Sequence, residues 1–261
     1  MSIFSIASLQ LNLSGSDNTE LLTSEVIAVK NRFPSVEMVI CGELALFGSN
    51  FSANHANAET ALNQLCELAA KLNIWIIPGS IYRTVDNKHF NSSPVINPEG
   101  AIINWHDKIY PFLPYEKDVD CGDAFTLFDV PGIGCFGLCI CYDMWFPEVI
   151  RNMVCLGAEV IIHPTLTNTV DRDVELCIAR ANATINQCYI FDINVAGEYG
   201  VGRSIICGPG GEKIHEAGSG KEIMTTDIDL DYVKRVREQG WHSLGQTLKS
   251  FRDNPIEFSI Y

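Results

Sequence analysis

The chain has 261 residues, 47% apolar and 19% charged, a balance that excludes a disordered polymer and allows one sizeable core. Its net charge of −14 comes without any basic run, which argues against nucleic acid and anionic membrane surfaces as partners. No apolar stretch approaches the ~20 residues of a spanning helix, and the start lacks the basic residues of a secretory leader, so none is expected.

In chain order, alternation predicts a strand over Ile3–Leu11, and apolar residues at 21, 22, 26, 29 and 33 predict a helix over Asn18–Phe33. A short strand is expected at Val36–Cys41. Leu62, Leu65, Leu68, Ala69 and Leu72 form a helical stripe over Glu59–Leu72, before a strand at Ile74–Ile77. Residues 82–104 read as hairpins, with turns at Asp86-Asn87 and Pro98-Glu99-Gly100. Strands are expected at 125–129, 133–140 and Val160–Ile162, with a helix after Pro147. Val174, Cys177, Ile178, Ala181 and Ile185, at i, i+3, i+4, i+7 and i+11, set a second helical stripe. Strands at 189–194, 203–207 and 222–228 follow. The last ~30 residues are mixed, and a tail that packs on a partner subunit is the expectation there. No low-complexity linker or exact repeat divides the chain, so residues 1–261 are taken as one domain.

Ten cysteines fall mostly inside strand or helix patterns, which points to reduced thiols in a cytoplasmic protein. Cys139 and Cys141 are spaced C-x-C with no second pair, and the six histidines are scattered, so a zinc site is not expected.

The most informative stretch is Gly137-Leu138-Cys139-Ile140-Cys141-Tyr142-Asp143-Met144-Trp145-Phe146-Pro147-Glu148, which leaves a strand, reaches a thiol and enters a helix-like segment. Backbone N–H groups of such a turn can hold a developing negative charge. A thiol there becomes a nucleophile when a base or cation favours its thiolate. Glu43, at the end of the strand Glu37–Cys41, and Lys108, in His106-Asp107-Lys108-Ile109-Tyr110-Pro111-Phe112, supply both. Each alone has an ordinary explanation: a solvated carboxylate, a surface lysine, a buried small thiol.

In combination, Glu43, Lys108 and Cys141 resemble the Glu-Lys-Cys triad of the nitrilase superfamily of carbon–nitrogen hydrolases. Glu116 is similar to the second glutamate of its amidase branches. Arg180–Gln187 resembles the R-A-x-A-x-E-N-Q helix, with Ile185 in place of the glutamate. Asn194 and Gly197, Gly202-Arg203-Ser204 and Pro209-Gly210-Gly211 resemble later turns of the same pattern. The resemblance implies an α/β fold, a four-layer α-β-β-α sandwich, assembled through outer helices into a homodimer or larger homo-oligomer. It also implies hydrolysis of a small amide with no cofactor. Cys141 would attack the carbonyl, Glu43 would move the proton, and Lys108 with the Tyr142 N–H would hold the oxyanion. Glu116 would orient Lys108.

Tyr142, Trp145, His163 and Thr165 are the expected substrate contacts, the last two with Thr165-Leu166-Thr167-Asn168 lining the pocket. His163 is also readable as a structural histidine, Cys139 as core packing, and Asp143 as a cap of the following turn. Members acting on dicarboxylate monoamides tend to carry an arginine where Trp145 stands, so an acyl group without a second carboxylate is expected. Arg172 is the basic residue that could reverse that expectation. The rival readings are an ω-amidase or N-carbamoyl amidohydrolase of the same superfamily, a thiol redox protein using Cys139 and Cys141, and a catalytically silent binding protein.

Overall fold

The computed structural model describes residues 3–49 and 51–256. The first half contains β1 (Ile3–Gln10), β2 (Asn12–Leu13), α1 (Thr19–Arg32), β3 (Met38–Cys41), α2 (Phe51–Leu72), β4 (Trp75–Ile77), β5 (Ile81–Val85), β6 (Lys88–Ile96) and β7 (Ile102–Asp107). The second half contains β8 (Thr126–Val130), β9 (Gly134–Leu138), a 3-10 turn (Cys141–Trp145), α3 (Pro147–Cys155), β10 (Val160–Thr165) and α4 (Arg172–Asn186). It continues through β11 (Tyr189–Asn194), β12 (Ala196–Gly197), β13 (Ile205–Cys207), β14 (Lys213–Glu216), β15 (Glu222–Asp229), α5 (Leu230–Gln239) and α6 (Thr247–Arg252).

Two sheets carry the fold. One runs β15-β1-β3-β4-β6-β5, with β7 also on β6, and the other runs β14-β13-β11-β10-β9-β8. The central strands β1, β3 and β4 are parallel, as are β9, β10 and β11, with antiparallel strands outside them. Both faces of the central strands are buried, so most of their positions are apolar. On β1 and β3, Phe4, Ile6, Met38 and Ile40 face the second sheet, while Ala7, Leu9, Val39 and Cys41 face α1 and α2. On β10 and β11, Val160, Ile162, Phe191 and Ile193 face the first sheet, and Ile161 and Ile190 face α3 and α4.

The result is an α-β-β-α sandwich with three apolar seams. An edge-to-face contact of Phe4 with Phe136 at 5.8 Å and a tilted one of Trp75 with Phe128 at 5.7 Å link the sheets across the middle seam. Such pairs add about 0.5–1.5 kcal/mol each beyond burial.

The stripe on α2 faces inward as expected, although the helix starts earlier, at Phe51. The Asp86-Asn87 turn has positive φ at both residues, the geometry of a tight hairpin between β5 and β6. The stripe on α4 faces outward. Val174, Cys177, Ala181 and Ile185 are exposed and Ile178 is only half-buried, while Arg172, Glu175, Leu176, Ala179, Asn182, Ala183 and Asn186 face the sheet. Asp192 on β11, Thr167 just past β10 and the Arg203 carbonyl just before β13 draw the charged face inward. Strand β14 is a second addition, pairing with β13 around the Pro209–Gly211 turn. Of the C-terminal stretch, α5 buries Leu230, Val233 and Val236, whereas none of residues 241–256 is buried.

Candidate active site

The parallel strands of both sheets end on the same side of the sandwich, the usual place for an α/β site. Glu43 lies just past β3, Lys108 directly after β7, and Cys141 three residues past β9. The Glu43 N–H bonds to the Thr165 carbonyl at 3.2 Å, which ties the first sheet to the end of β10. Gly79 is required behind this loop. Its φ is +84°, and a Cβ there would fall 1.8 Å from the Gly42 oxygen.

Lys108 Nζ donates to Glu43 Oε1 and to Glu116 Oε2, both at 2.8 Å. Glu116 is held in turn by the Phe112 N–H at 2.7 Å. Asn91, fully buried in β6, donates through Nδ2 to Glu43 Oε1 at 2.8 Å and to Glu116 Oε1 at 2.7 Å, and its Oδ1 has no partner among the described residues. Sequence reasoning missed Asn91. The signal was an amide in the middle of a strand, a position where it is disfavoured unless a buried partner awaits it.

Cys141 opens the 3-10 turn with φ at +47°, a left-handed conformation unusual for a side chain of this kind. Asp143 fixes the turn, accepting from Ile140 N at 2.9 Å, Tyr110 N at 2.8 Å and His106 Nε2 at 2.9 Å. It thus caps the turn and joins it to the loop that carries Lys108. Tyr110 stacks on Phe146 at 3.5 Å across the same junction.

Burial raises the Cys141 thiol pKa well above its ordinary value. The Glu43 and Glu175 charges push the same way, against Lys108 and a hydrogen bond with Thr165. The thiol therefore rests protonated beside Glu43, with which it shares a hydrogen bond. Burial raises the Glu43 pKa as well, offset by Lys108 and reinforced by Glu116, and a raised carboxyl is a better base near neutrality. For Lys108, burial works against the charge, but Glu43, Cys141 and Glu116 outweigh it and hold the pKa well above the usual lysine value.

A cavity of about 490 Å³ opens in front of this cluster. Glu43, Lys108, Cys141, Glu116, Tyr142 and Trp145 line it, as do Leu166, Thr167 and Asn168. His163 and Thr165 do not, and this corrects their expected role. His163 is buried, bonded through Nε2 to the Cys141 carbonyl at 2.8 Å and through Nδ1 to Asp192 Oδ1 at 3.1 Å. Thr165 lies behind the thiol and hydrogen-bonds to it. Arg172 is no free cation for the cavity. Its guanidinium bonds to Glu175 at 3.0 Å, Asp192 at 2.9 Å and the Arg203 carbonyl at 2.8 Å. Cys139 packs in the seam between the second sheet and α3 and α4. Among the described residues no three His, Cys, Asp or Glu side chains converge to hold a metal ion, and no helix is long and apolar enough to cross a membrane.

The model of the carbon-nitrogen hydrolase family matches residues 5–238. The chain belongs to that family. The omega-amidase NIT2 of Mus musculus is 30% identical over 260 residues, covering 92% of this chain and 93% of its own. The omega-amidase NIT3 of Saccharomyces cerevisiae is 30% identical over 202 residues, 71% of this chain and 69% of its own. The crystal structure of Saccharomyces cerevisiae Nit3, a member of branch 10 of the nitrilase superfamily, superposes with a TM-score of 0.83 at 27% identity, covering 90% of this chain and 93% of that one. A carbon-nitrogen hydrolase from Helicobacter pylori shares the fold at a TM-score of 0.84 and 22% identity, over 97% of this chain and 95% of that one. The chain is an amidase-like hydrolase of the nitrilase superfamily, and its four layers are that superfamily's sandwich.

Proposed function

We propose that this hydrolase cleaves the carbon–nitrogen bond of a small linear primary amide through a thioester on Cys141. The observation that carries the reading is the side-by-side placement of the Cys141 thiol, Glu43 and the Lys108 ammonium, bridged to Glu116, at the wall of a 490 Å³ cavity. Glu43 takes the thiol proton as Sγ bonds to the amide carbon. Lys108 and the Tyr142 N–H stabilise the oxyanion, a contribution of roughly a hundred- to a thousandfold per donor. Glu43 then passes the proton to the nitrogen, the C–N bond breaks and ammonia leaves. Water, deprotonated by Glu43, attacks the thioester, the C–S bond breaks, and the carboxylic acid departs with the thiol restored. Glu116 and Asn91 act on this sequence by fixing Glu43 and Lys108.

Trp145 and, among the described residues of the cavity lining, the lack of an unpaired cation support an acyl group without a second carboxylate. An ionised carboxylate desolvated without a partner loses several kcal/mol, on the order of the penalties for buried charge. The similarity to the omega-amidases NIT2 and NIT3 favours a second reading, ω-amidase activity on a carboxylate-bearing amide. Burial of Cys139 in a helix–sheet seam, away from the cavity, counts against a Cys139–Cys141 redox pair. Copies of the chain would associate through the exposed apolar face of α4, with the uncovered residues 241–256 beside it.

The deciding experiment measures ammonia release from pentanamide and from its ω-carboxyl analogue glutaramate, with trapping of the acyl group on the Cys141 peptide. Turnover of pentanamide with a Cys141 adduct is expected. Preference for glutaramate by about tenfold or more, 1.4 kcal/mol in transition-state binding, would select the ω-amidase reading instead.

A further inference from the structure

Beyond the triad, two kinds of group stand out among the apolar and small polar residues of the cavity lining. Aromatic rings come from Tyr82, Phe112, Tyr115, Tyr142, Trp145 and Tyr199, and carboxylates other than Glu116 come from Asp171 and Glu175 at the start of α4. Aromatic faces attract cations and repel anions through their quadrupoles. The two carboxylates differ in how they are satisfied. Glu175 is buried, with Oε2 on Arg172 at 3.0 Å and Oε1 accepting from Thr167 at 2.9 Å. Asp171 is half-buried, and its Oδ2 accepts from the Thr169 hydroxyl at 2.8 Å, but no basic side chain pairs with it among the described residues. Among the described residues, the cations beside the cavity are already engaged: Lys108 by Glu43 and Glu116, Arg172 by Glu175 and Asp192.

The N-terminus of α4 is a feature that could instead welcome an anion, since helix N-termini carry a partial positive charge. That end is already neutralised by Asp171, Asp173 and Glu175, in the first turn or just before it. A second anion would meet acidic neighbours and no free donor cation. An ammonium would meet ring faces and an unpaired carboxylate.

We infer that the substrate carries a primary ammonium at the end of its acyl chain remote from the amide, and that Asp171, with the surrounding aromatic rings, selects it. The inference rests on the amidase reading and names the substrate class for the same site. The ammonium sits at the mouth formed by Asp171 and the rings while the amide reaches Cys141. Asp171 supplies charge selection and takes no part in the bond changes.

The test compares three amides of equal chain length: 5-aminopentanamide, pentanamide and glutaramate, charged +1, 0 and −1 at the remote end. The cationic amide should exceed the neutral one in kcat/KM by about tenfold, the size of a desolvated cation–π contact joined to an ion pair, with glutaramate slowest. Asp171→Asn should bring the cationic-to-neutral ratio close to one. That ratio is insensitive to losses common to both substrates. A neutral amide that equals the cationic one, or glutaramate as the best substrate, overturns the inference while leaving amidase activity in place. A second arm needs no turnover: Cys141→Ala protein is titrated by calorimetry with 5-aminopentanamide and with glutaramate, which share the amide and differ in the remote charge. If none of the three amides is hydrolysed, the reading as an amidase of small linear amides falls, and the calorimetry still decides the charge preference. Tighter binding of 5-aminopentanamide sustains a cation-selective cavity, and tighter binding of glutaramate overturns it.

Discussion

Replacing Lys108 by Met keeps the length of the side chain and removes the charge that two buried carboxylates share. Nζ stands 2.8 Å from an oxygen of each, and the three side chains are at most 6% exposed. At an effective dielectric near 20, each contact is worth roughly 6 kcal/mol of attraction before desolvation is subtracted. Deleting one partner of such a buried pair costs about 3–5 kcal/mol, because charge is left without compensation. In Lys108→Met, Glu43 loses the cation that offsets its burial, while Glu116 continues to push its pKa up. The folded variant therefore holds a proton on this pair to a higher pH than the unfolded chain, whose glutamates titrate near 4.3. A carboxyl raised in the folded state contributes stability that is present below the unfolded value and lost as pH rises through the folded one. Urea midpoints read by tryptophan fluorescence should thus show the variant well below wild type at pH 8 and partly recovered at pH 5. Ammonia release should fall by about two to three orders of magnitude with the loss of an oxyanion donor. A stability loss under about 1 kcal/mol at pH 8, with no recovery at pH 5, would refute the electrostatic account of the cluster.

Cys141→Ala should abolish hydrolysis, while Cys139→Ala, which removes a thiol from a buried seam, should stay active with a stability loss of about 1 kcal/mol. Acyl adduct found by mass spectrometry on Cys139 alone would contradict this assignment. Glu43→Gln should stay folded and lose both acylation and deacylation by at least about a hundredfold, and single-turnover rates above a tenth of wild type would rule Glu43 out as the base. Ile178→Glu on the apolar face of α4 should shift the chain to a smaller species in size-exclusion chromatography with light scattering. An unchanged mass would remove α4 from the interface.

The sequence made some elements legible and hid others for identifiable reasons. The central strands were readable because burial on both faces gives them apolar runs, as in Met38–Cys41 and Trp75–Ile77. Glu43, Lys108 and Cys141 each sit at a strand end, yet it was their resemblance to the Glu-Lys-Cys triad, with its flanking residues, that joined them in the sequence. The spacing of an apolar stripe revealed α4 but not which way that helix faces. Its inward face is polar, and the partners that satisfy Arg172, Glu175 and Asn182 come from segments far along the chain or from the helix itself. Asn91 was hidden for the same reason. A buried polar side chain is recognised by its partner, and Glu43 lies 48 residues away.

Those long-range partners explain how the nucleophile keeps an unfavourable backbone. A left-handed conformation at a non-glycine residue costs about 1–2 kcal/mol, so Cys141 must be held from outside. His163 donates Nε2–H to the Cys141 carbonyl at 2.8 Å. Burial opposes a proton on His163, but the hydrogen bond and charge of Asp192 raise its pKa, which keeps that donor in place. Burial likewise works against the charge on Asp192, yet Arg172 and His163 lower its pKa below the ordinary carboxylate value. Arg172 passes from Asp192 to Glu175, Glu175 holds the Thr167 hydroxyl at 2.9 Å, and Thr167 lies 3.4 Å from the Thr165 hydroxyl. Thr165 then hydrogen-bonds to the Cys141 thiol. The circuit leaves Cys141 at its carbonyl and returns at its sulfur, through β10, β11 and the buried face of α4. The polar residues that turn α4 around are therefore the ones that set the strained cysteine, and the apolar residues they displace are the ones left exposed on the outer surface.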